Sequence, residues 1–233
     1  MIPTATPAQA LTGRTLGDIA ASLPGSTAVF RTHKLDFCCG GNVTLREAAA
    51  RKGLSADAIA EQLRGLHPAV AATPPQSASA LIDHIIERYH QVHRRELPEL
   101  IRLAGRVEAV HRERAEVPAG LAEALRVLLR ELEAHMQKEE LVLFPMIRQG
   151  TPMVVQPIAV LRAEHDEHGE RLRHVEELAH QCVPPDDACN TWRALYAGVR
   201  KLIDDVMEHI HLENNVLFPA ATGLRLAGRS PSP

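Results

Sequence analysis

The sequence predicts an all-α chain. It reads as a small domain of short helices over residues 14–66, a linker over 67–78, an up-down-up-down four-helix bundle over 79–220 and a disordered tail over 221–233. Three observations lead there. Aromatic residues are only 3% of the 233, and the apolar content is mostly Ala, Leu, Val and Ile, a balance that suits helices more than sheets. From residue 79 onward apolar residues recur at helical spacing, and the breaks between periodic stretches are short enough to join antiparallel neighbours. One motif also occurs twice: His135-x-x-x-Glu139-x-x-x-x-Phe144-Pro145 returns as His209-x-x-x-Glu213-x-x-x-x-Phe218-Pro219.

In chain order, residues 1–13 read as a loose leader. Thr15 caps a helix running to Ser22, and Pro24 restarts the chain. Thr44 caps a helix that stops at Gly53, and Ser55 caps one running from Asp57 to Leu66. Between them lies Asp36-Phe37-Cys38-Cys39-Gly40-Gly41. Adjacent cysteines seldom close on each other, because a disulfide has a demanding geometry, and the glycine pair frees the backbone beside them. The pair is either a thiol couple that reacts with a ligand, a metal or a partner, or one buried cysteine beside an incidental exposed one. The stretch 67–79 is rich in Pro, Ala and Ser and reads as a linker. Helix one starts near Ser79, is expected to kink at Pro98 and fades by Arg114. Helix two spans about 118–148 and helix three about 157–180. A Pro184-Pro185-Asp186-Asp187 loop lies between Cys182 and Cys189, and helix four covers about 189–216.

The repeated motif carries the chemistry. On a helix, residues four apart point about 40° from each other and sit about 6 Å apart along the axis. Each copy therefore offers an imidazole and a carboxylate from one face. Leu121, Leu125, Leu128, Leu132, Met136 and Leu143 form an apolar stripe that contains His135 and Glu139. Leu195, Val199, Leu202, Val206 and Leu217 form another that contains His209 and Glu213. A glutamate on a core stripe is rarely buried without a partner. The bland alternative is two solvated turns near helix ends. Facing helices that each turn a His and a carboxylate inward are how bundle-core di-metal sites are built.

Two His and two Glu do not suffice for two metals, so helices one and three must contribute. Helix three offers His165 and His168, both near its stripe of Ile158, Leu161, Leu172 and Val175. Helix one offers His84, His90 and His93. Counted from Ile82, His84 lies about 200° away and reads as a surface residue, His90 about 80° off and His93 about 20° off. Spacing alone therefore slightly favours His93. If helices one and two form a hairpin turning near Ala115, His135 and Glu139 are level with residues about 90–95. His111 would then be about 30 Å away, an outside candidate.

A net charge of −3 without a basic block argues against nucleic acid as a partner. No run of about 18 apolar residues and no charged-then-apolar start is present, so no membrane span is expected and a cytoplasmic location is read. Four cysteines do not make a disulfide framework. Thirteen histidines direct attention to metals.

The arrangement resembles hemerythrin-like domains, and more closely the iron–sulfur cluster repair di-iron (RIC) family. The double cysteine with its two glycines looks like that family's first signature. Arg88-Tyr89-His90, His135-x-x-x-Glu139, Glu164-His165-Asp166-Glu167 and His209-x-x-x-Glu213-Asn214-Asn215 look like the rest, in order. The resemblance implies a hemerythrin-like bundle holding two non-haem iron ions on His90, His135, Glu139, His165, His209 and Glu213. It takes His90 over His93, and it carries no ligand position onto His168. It implies a role in nitrosative and oxidative stress, with nitric oxide or dioxygen as the small ligand and damaged iron–sulfur proteins as clients. Iron donation and nitric-oxide capture or reduction are the implied routes. Cys38 and Cys39 would supply thiol chemistry, and a homodimer is left open. A second reading is a hemerythrin-like nitric-oxide or dioxygen sequestering or sensing protein without repair. A third, a thiol oxidoreductase centred on Cys38 and Cys39, lacks the C-x-x-C spacing of such enzymes.

Overall fold

The computed structural model of the chain describes residues 11–66 and 77–223. Most of the expected leader, linker and tail lies outside these residues. The described residues contain helices and no strand, with one isolated antiparallel bridge between Thr15 and Thr44. They fall into two compact units. One joins the N-terminal residues up to Gln76 with those from Ile210 onward, and the other spans Ser77–His209.

In the first unit, α1 (Leu16–Ser22), α2 (Ser26–Thr32), α3 (Leu45–Arg51) and α4 (Ala56–Arg64) are short. Each start has a local cause except that of α2. Thr15, Thr44 and Ser55 accept hydrogen bonds from the amides of Asp18, Glu47 and Ala58, satisfying helix donors that have no partner in the first turn. Glu47 returns the bond to Thr44 and closes a capping box. Burial of Ile19, Phe30, Phe37, Leu45, Ile59 and Leu63 holds the helices together, since none can reach its apolar partners alone. Gly40 and Gly41 are needed for close approach. A Cβ on Gly41 would stand 2.7 Å from the Phe37 carbonyl oxygen and 2.7 Å from Asn215 Oδ1, and one on Gly40 would stand 3.0 Å from the Asp36 oxygen. Neither glycine has a positive φ. The expected conformational freedom is therefore not what this site uses; the missing side chains are.

The second unit is built from long helices. Helix one comprises α5 (Ala78–Ile85) and α6 (Gln91–Val110). Helix two comprises α7 (Leu121–Lys138) and α8 (Phe144–Arg148). Helix three is α9 (Val155–Leu178), and helix four is α10 (Asn190–Leu212), whose last residues belong to the first unit. Ion pairs fix the directions. Arg94 reaches Glu133 and Arg148 reaches Asp83, so helices one and two are antiparallel. Glu131 pairs with Arg171, and Glu164 with Lys138, which sets helix three antiparallel to helix two. Asp205 pairs with Arg88, and Lys201 with Glu96, setting helix four antiparallel to helix one. The apolar stripes read from the sequence are the buried ones, Leu125, Leu128, Leu132, Leu195, Val199 and Val206 among them. Helix one ends at Val110 and continues through Pro98 as one element, helix two begins at Leu121, and helix three runs from Val155 to Leu178, each within a few residues of the expected bounds.

The helices are interrupted by three π-helical turns, Ile86–His90, Glu139–Leu143 and Glu213–Leu217. Each is closed by an amide reaching back five residues: Gln91 to Ile86, Phe144 to Glu139, and Phe218 to Glu213. Two of the turns sit immediately before Phe-Pro. A proline within a helix lacks the amide donor, and its ring crowds the carbonyl four residues earlier. A wider turn at that point moves the carbonyl aside. Such turns concentrate at functional sites, and every one here contains or begins at a predicted ligand.

Candidate metal centre

Six histidines of the Ser77–His209 unit are buried: His90, His93, His135, His165, His168 and His209. Glu139 is buried with them at 0% exposure, which rules out the solvated-turn alternative for this motif copy. His84 is exposed, as its angle predicted. His90 Nε2 and His209 Nε2 stand 3.1 Å apart, and His135 Nε2 and His165 Nε2 stand 3.0 Å apart. Glu139 lies between the two pairs. Its Oε2 is 3.4 Å from His90 Nε2, and its Oε1 is 3.4 Å from His135 Nε2. The donor atoms of His90, Glu139 and His209 all lie within 4.8 Å of one another, as do those of His135, Glu139 and His165.

This geometry suits metal ions. Two imidazole nitrogens each about 2.1 Å from one ion, at right angles, would lie about 3.0 Å apart. Both histidine pairs have that spacing. One carboxylate with an oxygen toward each pair is the form of a bridging ligand. Buried imidazoles and a buried carboxylate also need a compensating charge or partner in a dry core. Glu213 repeats the placement locally. It follows His209 by four residues on the same helix and is itself fully buried.

Residues 81–221, more than half of the chain, match the hemerythrin HHE cation binding domain. The chain belongs to the hemerythrin HHE family. Residues 12–67 match a domain of unknown function (DUF542). Two relatives, each called iron-sulfur cluster repair protein YtfE, come from Escherichia coli (strain UTI89 / UPEC) and Escherichia fergusonii. Each is 49% identical over 209 residues, covering 88% of this chain and 95% of theirs. Membership of the hemerythrin family implies iron as the cation.

In this hemerythrin bundle each imidazole must face inward with the correct nitrogen. His90 Nδ1 is 2.7 Å from Glu140 Oε1, and His135 Nδ1 is 2.9 Å from Glu164 Oε2. These carboxylates fix the ring orientation and turn each Nε2 toward the facing imidazole. Arg94 holds Glu140 at 2.8 Å, and Lys138 holds Glu164. The hydrogen bond from His135, helped by Lys138, lowers the Glu164 carboxyl to about 2, so it stays ionised. Burial, reinforced by His90, holds His209 neutral well below the ordinary imidazole range. Tyr89 stacks on His209 at 5.5 Å and Phe144 on His90 at 5.8 Å, lining the site with apolar rings.

His93 is buried, but its Nε2 has no hydrogen-bond partner among the described residues, and it belongs to neither donor group. Burial lowers it to about 2. His168 is also outside the donor groups and is lowered by burial to about 3. His111 pairs with Cys189 Sγ at 3.3 Å and stacks near Trp192, away from the donors. Cys182 is buried, and burial pushes its thiol up to about 11. Sequence reasoning missed the outer carboxylates Glu140 and Glu164. Their signal was available: each is adjacent to a predicted ligand, about 100° around the helix, and so aimed at a neighbouring helix.

In the first unit Asp36, Cys38 and Cys39 converge. Neither cysteine is in a disulfide, and their sulfurs are 3.8 Å apart. Asp36 Oδ1 is 3.4 Å from Cys38 Sγ and accepts the Cys39 amide at 3.0 Å. Cys39, followed by burial and Asp36, raises the Cys38 thiol well above its ordinary value. Sequence reasoning gave the Asn214-Asn215 pair no structural role. Asn214 Nδ2 donates to the Cys38 carbonyl and Asn215 Nδ2 to the Phe37 carbonyl, each at 3.1 Å.

Proposed function

We propose that the bundle holds two iron ions on His90, His135, Glu139, His165, His209 and Glu213, and that the protein repairs iron–sulfur clusters damaged by nitrosative or oxidative stress. The observation that carries the reading is Glu139, with one carboxylate oxygen toward each of two imidazole pairs. Glu213, one turn past His209, is the second bridging carboxylate in this reading. Two carboxylates offset part of the cationic charge in a buried site. Iron held there would supply open positions for a small diatomic, nitric oxide or dioxygen. Glu140 and Glu164 hold the rings of His90 and His135 in place as that ligand comes and goes. The repair role follows the relatives' description as iron-sulfur cluster repair proteins. Its clients would be iron–sulfur proteins, met in the cytoplasm.

The test is iron per chain, and the absorption change on adding nitric oxide, in wild type and Glu139→Leu. Two irons and a nitric-oxide response that both fall sharply in the variant are expected. Full iron in Glu139→Leu would remove the bridging role. Recovery of an inactivated iron–sulfur enzyme in stressed cells then separates repair from sequestration. Sequestration alone would leave recovery unchanged when Cys38 and Cys39 are both replaced by Ser.

A further inference from the structure

We infer that Asp36, Cys38 and Cys39 form a second, mononuclear site for a thiophilic divalent cation such as ferrous iron or zinc, distinct from the bundle centre. The three donor atoms lie within 4.8 Å of one another. Their spacings match one tetrahedral ion. Two sulfurs each about 2.3 Å from such an ion would stand about 3.8 Å apart. The observed separation is 3.8 Å. An oxygen at about 2.1 Å and a sulfur at about 2.3 Å would stand about 3.6 Å apart. Asp36 Oδ1 and Cys38 Sγ are 3.4 Å apart. A disulfide would require about 2.0 Å between the sulfurs. The reduced pair is thus already at chelating distance.

The loop is also built to keep that distance. The carbonyls of Phe37 and Cys38 accept from Asn215 and Asn214, the Gly41 carbonyl accepts from the Gly17 amide, and the Cys39 amide donates to Asp36. Gly41 lets the turn close where a Cβ would collide, and Gly40 where one would be tight against the Asp36 carbonyl. A site held in place by such outer contacts loses little entropy on binding. Two thiolates and a carboxylate select borderline-soft ions over calcium or magnesium. Binding forms two metal–sulfur bonds and one metal–oxygen bond and releases the two thiol protons to solvent. Asp36 is exposed and Cys39 half-exposed, so the fourth position opens to water and the ion is exchangeable. The inference stands whether or not the repair reading holds.

The probe is cobalt(II), titrated anaerobically into the reduced full-length chain. The bundle donors contain no sulfur, so sulfur-to-cobalt charge-transfer absorption in the near ultraviolet reports this site. One equivalent of such absorption is expected in wild type and in Glu139→Leu. It should vanish when Cys38 and Cys39 are both Ser, with Cys189→Ser unaffected. Absence of the absorption in wild type, or its survival in the double variant, overturns the proposal. Asp36→Asn gives an arm independent of cysteine packing, because its carbonyl can still accept the Cys39 amide. Cobalt affinity should fall at least about tenfold. Unchanged affinity in Asp36→Asn removes the carboxylate from the site and overturns the three-donor assignment.

Discussion

Glu139 and Glu164 show two uses of a carboxylate, one at each ring nitrogen of His135. Glu139 is buried between imidazole pairs and has an oxygen for each. Glu164 is partly exposed, paired with Lys138, and acts through the other nitrogen of His135. Replacing Glu164 by Gln keeps its shape but removes the charge that steadies His135. Metal affinity should fall by about 10–100-fold while iron stoichiometry at saturation is retained. Competition against a chelator of known strength measures this; an unchanged affinity would reduce Glu164 to a surface ion pair. The cap residues Thr15, Thr44 and Ser55 were legible because capping depends on three or four consecutive residues. The outer carboxylates were not, because their partners lie 50 and 29 residues away in sequence.

At the scale of the helix, a π-turn decides which histidine joins the buried donor cluster. A steady 100° step from Ile82 placed His93, not His90, on the core stripe. The extra residue in the turn Ile86–His90 takes out about one such step, which moves His90 from about 80° off to about 20° on the other side. His90 is also about 20° from Leu97, seven residues on. The π-turn thus lets α5 and α6 share one buried face. Deleting Glu87, an exposed residue of this turn, restores a regular helix and rotates α5 by about 100° relative to α6. Leu81, Ile82 and Ile85, all buried, would leave the core. Unfolding free energy should drop by roughly 4 kcal/mol or more, from three lost aliphatic contacts at about 1.5–3 kcal/mol each. Urea denaturation reads the loss directly.

For the molecule as a whole, buried imidazoles set the response to acid. Burial lowers His93 to about 2, His168 to about 3 and His211 to about 4, against an ordinary 6.5. Above pH 6.5 these groups are neutral in both the folded and the unfolded chain and impose no cost. As pH falls below 6.5, the unfolded chain takes up protons that the fold refuses, so stability falls toward pH 4. At pH 5 the cost is up to about 2 kcal/mol per histidine. Denaturation of the metal-free chain at pH 7 and pH 5 should show it; equal midpoints would mean these rings protonate in place. Metal loading requires neutral imidazoles as well, so acid should release the metal and soften the fold together.

The sequence by itself determined the helical class, the apolar stripes, the caps and the inventory of donors, because each rests on short-range periodicity or on neighbours a turn away. It also showed the twofold motif that marks two of the helices carrying the buried donors. Only the tertiary structure decided which histidines meet, that Glu139 faces two pairs at once, that Glu140 and Glu164 orient their neighbours' rings, and that Asn214 and Asn215 hold the cysteine loop. Those contacts depend on helix register across the bundle and on carbonyls far along the chain. A π-turn shifts that register by one residue without altering the composition that a sequence reading counts.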